Sequence, residues 1–117
     1  MNRAAWIAQQ RGRKAVLYVV RVYTAGEAFY KVGVTYNISA RWSRITTLYR
    51  WRTLARYSSW DAGSVFDLEQ RLHRGFAHLS YTPSSAFAGH TECYTDAAPI
   101  LKALPRETFF LKLATDI

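Results

Sequence analysis

The sequence predicts an α+β domain, a small central antiparallel β-sheet flanked by helices, and three observations carry that reading. Two β-branched and aromatic runs, AVLYVVRVY and AFYKVGVT, are separated by only the four residues TAGE, which is the pattern of a hairpin. Later stretches repeat apolar residues at helical spacing. The chain has 117 residues, half of them apolar, enough for one hydrophobic core and too few for two.

The elements follow in order. Residues 1–14 hold Arg3, Arg11, Arg13 and Lys14 and read as a basic arm or a short helix. The two strands of the hairpin come next, over 15–23 and 28–35. Asn37 is placed to cap a helix over 38–49, where Ile38, Trp42, Ile45 and Tyr49 recur on one face. YRWRTLARYSSW then alternates, with Tyr49, Trp51, Thr53, Ala55 and Tyr57 on one side and Arg50, Arg52, Leu54 and Arg56 on the other. That is a third strand with three arginines on one face. Ser64 and Asp67 predict a capping box for a second helix over 65–79. YTPSSAFAGHT reads as a loop, ECYT as a short strand, TDAAPILKAL as a capped third helix and TFFLKLAT as a last strand. Strands and helices in this order suit a sheet covered by helices.

Charge is unevenly placed along the chain. The net charge is +8, yet residues 1–60 carry eleven Lys or Arg against the single acid Glu27, while residues 61–117 carry five bases and seven acids. A polarised basic surface attracts polyanions, nucleic acid foremost; a solvated face and an anionic membrane are the weaker alternatives. The lone Cys93 excludes an internal disulfide and a cysteine zinc site and fits a reducing cytoplasm. Apolar runs such as AVLYVV are too short to span a bilayer, so no membrane role is expected.

Glu69 is the residue that folding explains least. Val65, Leu68, Leu72, Phe76 and Leu79 make one stripe of the second helix, and Glu69 falls inside it. A carboxylate there costs several kcal/mol unless a cation pairs with it, and a metal ion or an arginine would serve. His73, one turn on, stands at the stripe edge. In the hairpin, strand alternation puts Tyr18 and Lys31 on one face of neighbouring strands, and a lysine beside a tyrosine favours the phenolate, a general base. Arg41 flanks the first helix, where its guanidinium fork suits a phosphate.

These residues carry a family resemblance over about residues 16–94. VLYVV, then YKVGVTYNISAR, then DLEQRLH resembles the GIY-YIG nuclease superfamily. Val16-Leu17-Tyr18 stands in place of GIY and Lys31-Val32-Gly33 in place of YIG, while Gly33, Thr35 and Arg41 meet the family's interval of glycine, Ser/Thr and arginine. Glu69 stands where the family keeps its metal-binding glutamate. His73, Phe76, Glu92 and Tyr94 resemble the phage-type branch, in which a helix ending in an HxxF-like segment precedes a Glu-aromatic pair. Departures are Val16 for glycine, Lys31 for tyrosine with Tyr30 adjacent, Ile45 where His or Tyr is common, and no match for a site-closing asparagine.

The resemblance implies one nuclease domain over 15–117 that cuts DNA with Mg²⁺ or Mn²⁺, RNA not being excluded as substrate. Glu69 would hold the metal, Tyr18 with Lys31 beside it would take the proton of the attacking water, and Arg41 would clamp the phosphate. Thr35 would hold the turn or bond a phosphate oxygen. Arg44, Arg50, Arg52 and Arg56 would track the nucleic-acid backbone, with Tyr30, His73 and Glu92 as accessory residues. Sequence specificity would need a homodimer, the basic arm or a partner protein, and the setting would be the cytoplasm of a bacterial or phage-infected cell. Two alternatives stand beside it: a non-catalytic nucleic-acid-binding module with a degenerate site, and a small protein-binding factor using exposed aromatics.

Overall fold

Both runs of the predicted hairpin become strands with the expected limits, β1 (Ala15–Tyr23) and β2 (Ala28–Thr35). They pair antiparallel from Val16 opposite Thr35 to Tyr23 opposite Ala28, and the turn closes with the Thr24 amide donating to the Glu27 carbonyl at 2.7 Å. The structure, a computed structural model, describes residues 2–38, 49–84 and 92–111. Before the hairpin stands α1 (Arg3–Ala8); after it come β3 (Arg50–Ser59), α2 (Ala62–Gly75), a 3₁₀ turn (Ala77–Leu79), β4 (Cys93–Tyr94), α3 (Ala98–Lys102) and β5 (Phe109–Phe110). The sheet runs β4-β2-β1-β3-β5, every neighbour antiparallel, as the α+β reading requires. Most of the helix expected over 38–49, with Arg41 and Arg44, lies outside the described residues.

Register divides the sheet into two apolar faces. Leu17, Val19, Val32 and Ala55 face α2 and pack with Val65, Leu68, Leu72 and Ile100. Tyr18, Val20, Val22, Phe29 and Cys93 form a second cluster on the other face, with Tyr49, Ile38 and Tyr81. Both sides of β1 are therefore buried, which is why it reads as a continuous apolar run.

The arginines of β3 do not share a face. Val19 pairs with Ala55 but Val20 pairs with Thr53, so Leu54 is an extra residue in a β-bulge. The bulge restarts the alternation. Arg52 and Arg50 oppose Arg21 and Tyr23 on the α2 side, whereas Arg56 opposes Tyr18 on the other. Ala55 and Tyr57 likewise part company with Trp51 and Thr53. The benefit is apolar: Leu54 and Ala55 both reach the α2-side core, which strict alternation would forbid.

Residues before β1 form the short helix rather than a loose arm. Trp6 is buried, stacks on Tyr36 with centroids 3.9 Å apart, and donates from Nε1 to the Ala62 carbonyl at 2.9 Å. Arg3 Nε reaches Asp67 Oδ1 at 2.9 Å, fastening α1 to α2. That contact displaces the expected capping box. The cap of α2 is Asp61, which accepts from the Ser64 amide at 3.1 Å and from Ser64 Oγ at 2.7 Å, so the helix starts three residues earlier than predicted and ends at Gly75. Among the described residues no helix is long and apolar enough to cross a membrane.

Candidate active site

Glu69 is set by α2. Its stripe neighbours Val65, Leu68 and Leu72 drive that helix face onto the sheet, and the carboxylate is carried in with them, buried as the periodicity predicted. Among the described residues no lysine or arginine pairs with it. Its neighbours are Gln70 Nε2, donating at 3.4 Å, and His73 Nε2 at 3.5 Å from Oε2. Gly75 ends the helix just after His73, and the chain returns through β4, whose Tyr94 hydroxyl touches His73 Nδ1. Stacking of the two rings, 8° from parallel, fixes the imidazole plane. Burial first, then the negative charges of Glu92 and Glu69, pushes the Tyr94 phenol up to about 12, so it stays protonated.

Glu92 precedes β4 and completes the group. Ligand atoms of Glu69, His73 and Glu92 lie within 4.8 Å of one another. Among the described residues His73 Nε2 is buried without a hydrogen-bond partner. A buried carboxylate with no Lys or Arg among the described residues, and an imidazole nitrogen 3.5 Å from it with no hydrogen bond of its own, are what a divalent cation would satisfy, so the residues fit one.

Glu92 also belongs to a second set. Lys31 pairs across the sheet with Cys93 and Val20, and its Nζ reaches Glu92 Oε2 at 3.3 Å. The same ammonium stands 5.5 Å from the centroid of the Tyr18 ring. Tyr18 directly opposes Gly33, and a Cβ on Gly33 would collide with the phenol hydroxyl and come within 2.6 Å of Cζ. The glycine is needed for this close approach, whatever its role in a turn. Tyr18 and Lys31 are both 0% exposed, while the Glu92 side chain is 36% exposed. Glu92 is thus where the buried pair meets the surface and where the two sets join.

The remaining predicted residues divide. Thr35 holds the turn: its Oγ1 donates to the Asn37 carbonyl at 3.2 Å and accepts from the Asn37 amide at 3.1 Å. Tyr30 is on the face opposite Tyr18, in a cross-strand row that runs Tyr94, Tyr30, Arg21, Arg52 from β4 to β3. Arg56 sits apart from Arg50 and Arg52, its guanidinium 5.4 Å from the Phe109 ring. Cys93 is a buried packing residue whose thiol burial pushes up to about 12.

Sequence reasoning missed two features. Arg21, read only as a strand residue, directly opposes Arg52, and like charges in that position cost stability unless an anion binds them. Glu27 is a clasp: its carboxylate accepts from the hydroxyls of Tyr81, Tyr49 (3.1 Å) and Ser84 (2.7 Å) and from the Ser84 amide (3.0 Å). The Tyr81 bond, then those of Ser84, hold that carboxyl down at about 2, and the same bond pushes the Tyr81 phenol up to about 12. The sequence marks Glu27 only as the one acid among the first 60 residues and does not show its partners.

No curated protein and no solved structure matches the chain. The family model of the T5orf172 domain matches residues 15–107, from the first residue of β1 to just before β5, and so takes in both sets of site residues. The chain therefore belongs to the T5orf172 domain family, a phage-associated, nuclease-like domain.

Proposed function

We propose that the protein is a metal-dependent endonuclease of GIY-YIG type acting on DNA. The observation that carries the reading is the buried Glu69 carboxylate, unpaired by any described lysine or arginine and gathered with His73 and Glu92 beside the Lys31–Tyr18 pair. The nuclease-like character of the family supports it.

Glu69 would hold Mg²⁺ or Mn²⁺, which when bound polarises the scissile phosphate and stabilises the leaving oxygen. Tyr18 is the proton acceptor for the attacking water. Gly33 gives its phenol room, and Lys31 lies over its ring with Glu92 orienting the ammonium. Arg41, outside the described residues, is assigned to the charge on the phosphate by its spacing from Gly33 and Thr35. Arg21, Arg50 and Arg52, on the α2 side of the sheet, hold the nucleic-acid backbone.

Supercoiled plasmid tests this directly. Wild type should nick it in Mg²⁺ or Mn²⁺ and not in EDTA, and Glu69→Ala should reduce nicking at least about 100-fold while leaving DNA binding intact; unchanged nicking by Glu69→Ala ends the assignment. The second reading, a nucleic-acid-binding module without chemistry, is favoured by one observation: Tyr18 and Lys31 have no solvent exposure. Its outcome is salt-sensitive DNA binding with no metal-dependent products.

A further inference from the structure

We infer that His73 and Glu92 are direct ligands of the ion at Glu69, which makes this a site for a divalent first-row transition ion, Mn²⁺ in the test below, in preference to Mg²⁺. The inference rests on the reading that Glu69 takes a divalent cation, and it stands whether or not the protein cuts DNA.

Three ligand atoms within 4.8 Å of one another can surround one ion, and they come from two separate elements, α2 and the residue before β4. Geometry on α2 is already favourable, since Glu69 and His73 are one turn apart and their ligand atoms stand 3.5 Å from each other. Among the described residues His73 Nε2 is buried without a hydrogen-bond partner, and its direction is fixed from behind by the Tyr94 contact at Nδ1 and by ring stacking. Ligation through Nε2 places the ring proton on Nδ1, where the Tyr94 hydroxyl oxygen accepts it. A ligating imidazole nearly always has such an outer partner.

Ligand chemistry then selects the ion. Mg²⁺ prefers an all-oxygen shell, keeps much of its water, and binds through one or two carboxylates. An imidazole nitrogen with two carboxylates suits the first-row transition ions, which accept nitrogen readily. Glu92 adds a consequence specific to this chain. Its Oε2 is 3.3 Å from Lys31 Nζ, so the carboxylate is shared between the ion and the lysine beside Tyr18, and loading the site alters the pairing of Lys31.

Electron paramagnetic resonance of Mn²⁺ bound to the whole chain tests this. One Mn²⁺ should bind per chain, its pulsed spectrum should show coupling to a single nitrogen, and a hundredfold excess of Mg²⁺ should leave most of it bound. His73→Ala should remove the nitrogen coupling and weaken binding at least about tenfold, and Glu92→Gln should weaken it comparably. Tyr94→Phe, which keeps the stacked ring and removes only the acceptor, should weaken binding with the nitrogen coupling retained. Bound Mn²⁺ with no nitrogen coupling in wild type, or its ready displacement by equimolar Mg²⁺, overturns the inference, even where His73→Ala fails to fold. Plasmid nicking is read separately: nitrogen-coupled Mn²⁺ without nicking defeats the nuclease reading alone, and nicking without nitrogen coupling defeats this one alone.

Discussion

Gly33 shows how a single missing carbon can shape a site. Alternation placed it on the Tyr18 face from sequence alone, but only the structure shows the phenol lying against it. Gly33→Ala must displace the ring or the strand. It should cost about 1–3 kcal/mol in urea denaturation and, because Lys31 Nζ is also within 3.2 Å of the added carbon, should lower any nicking activity by more than the stability loss explains. Glu27 sets a pH dependence. Its folded value of about 2 lies below the ordinary 4.5, so its contribution is complete above pH 4.5 and is lost as pH falls from there toward 2. Glu27→Gln should flatten that part of a denaturation profile measured against pH. Glu69 was legible because burial can be read from helical period, whereas Glu27 was not, because its partners Tyr81 and Ser84 lie 54 and 57 residues away.

At the scale of elements, the hairpin was legible to the residue because its alternation and its turn agree. β3 was legible as a strand and misread as a surface. One inserted residue, Leu54, moves Arg56 to the opposite face from Arg50 and Arg52, and period-2 reasoning has no means of detecting it. The misread N-terminus of α2 has a similar origin: Asp61, Ser64 and Asp67 are all competent caps, and the distant Arg3 settles the choice by claiming Asp67. The divided arginines lead to an asymmetric expectation. Arg52→Ala should reduce DNA affinity and lower the salt slope by about one in fluorescence anisotropy, and Arg56→Ala, on the other face, should leave the slope unchanged. Because Arg52 directly opposes Arg21, its removal should also not destabilise the fold.

For the whole molecule, the sequence correctly indicated an α+β fold with an antiparallel sheet flanked by helices, and α1, which precedes the family match, packs onto it through Trp6 and Arg3. The proposed site joins residues far apart in the chain, and that assembly is the part the sequence could not display: Glu92 meets Lys31 across 61 positions. Its last contributors sit on or beside β4, a strand of two residues at the edge of the sheet. Resistance to opening is not shared evenly through a fold, and an edge element this short detaches at a lower free energy than a central strand such as β1. The amides of Cys93 and Tyr94 should therefore exchange with solvent through a partial opening, while those of Val19 and Val20 exchange only on global unfolding, as native-state hydrogen exchange would show. Warming should then dismantle the cluster around Glu92 while the rest of the sheet stays folded, so the protein would lose its function as a distinct event before it loses its shape.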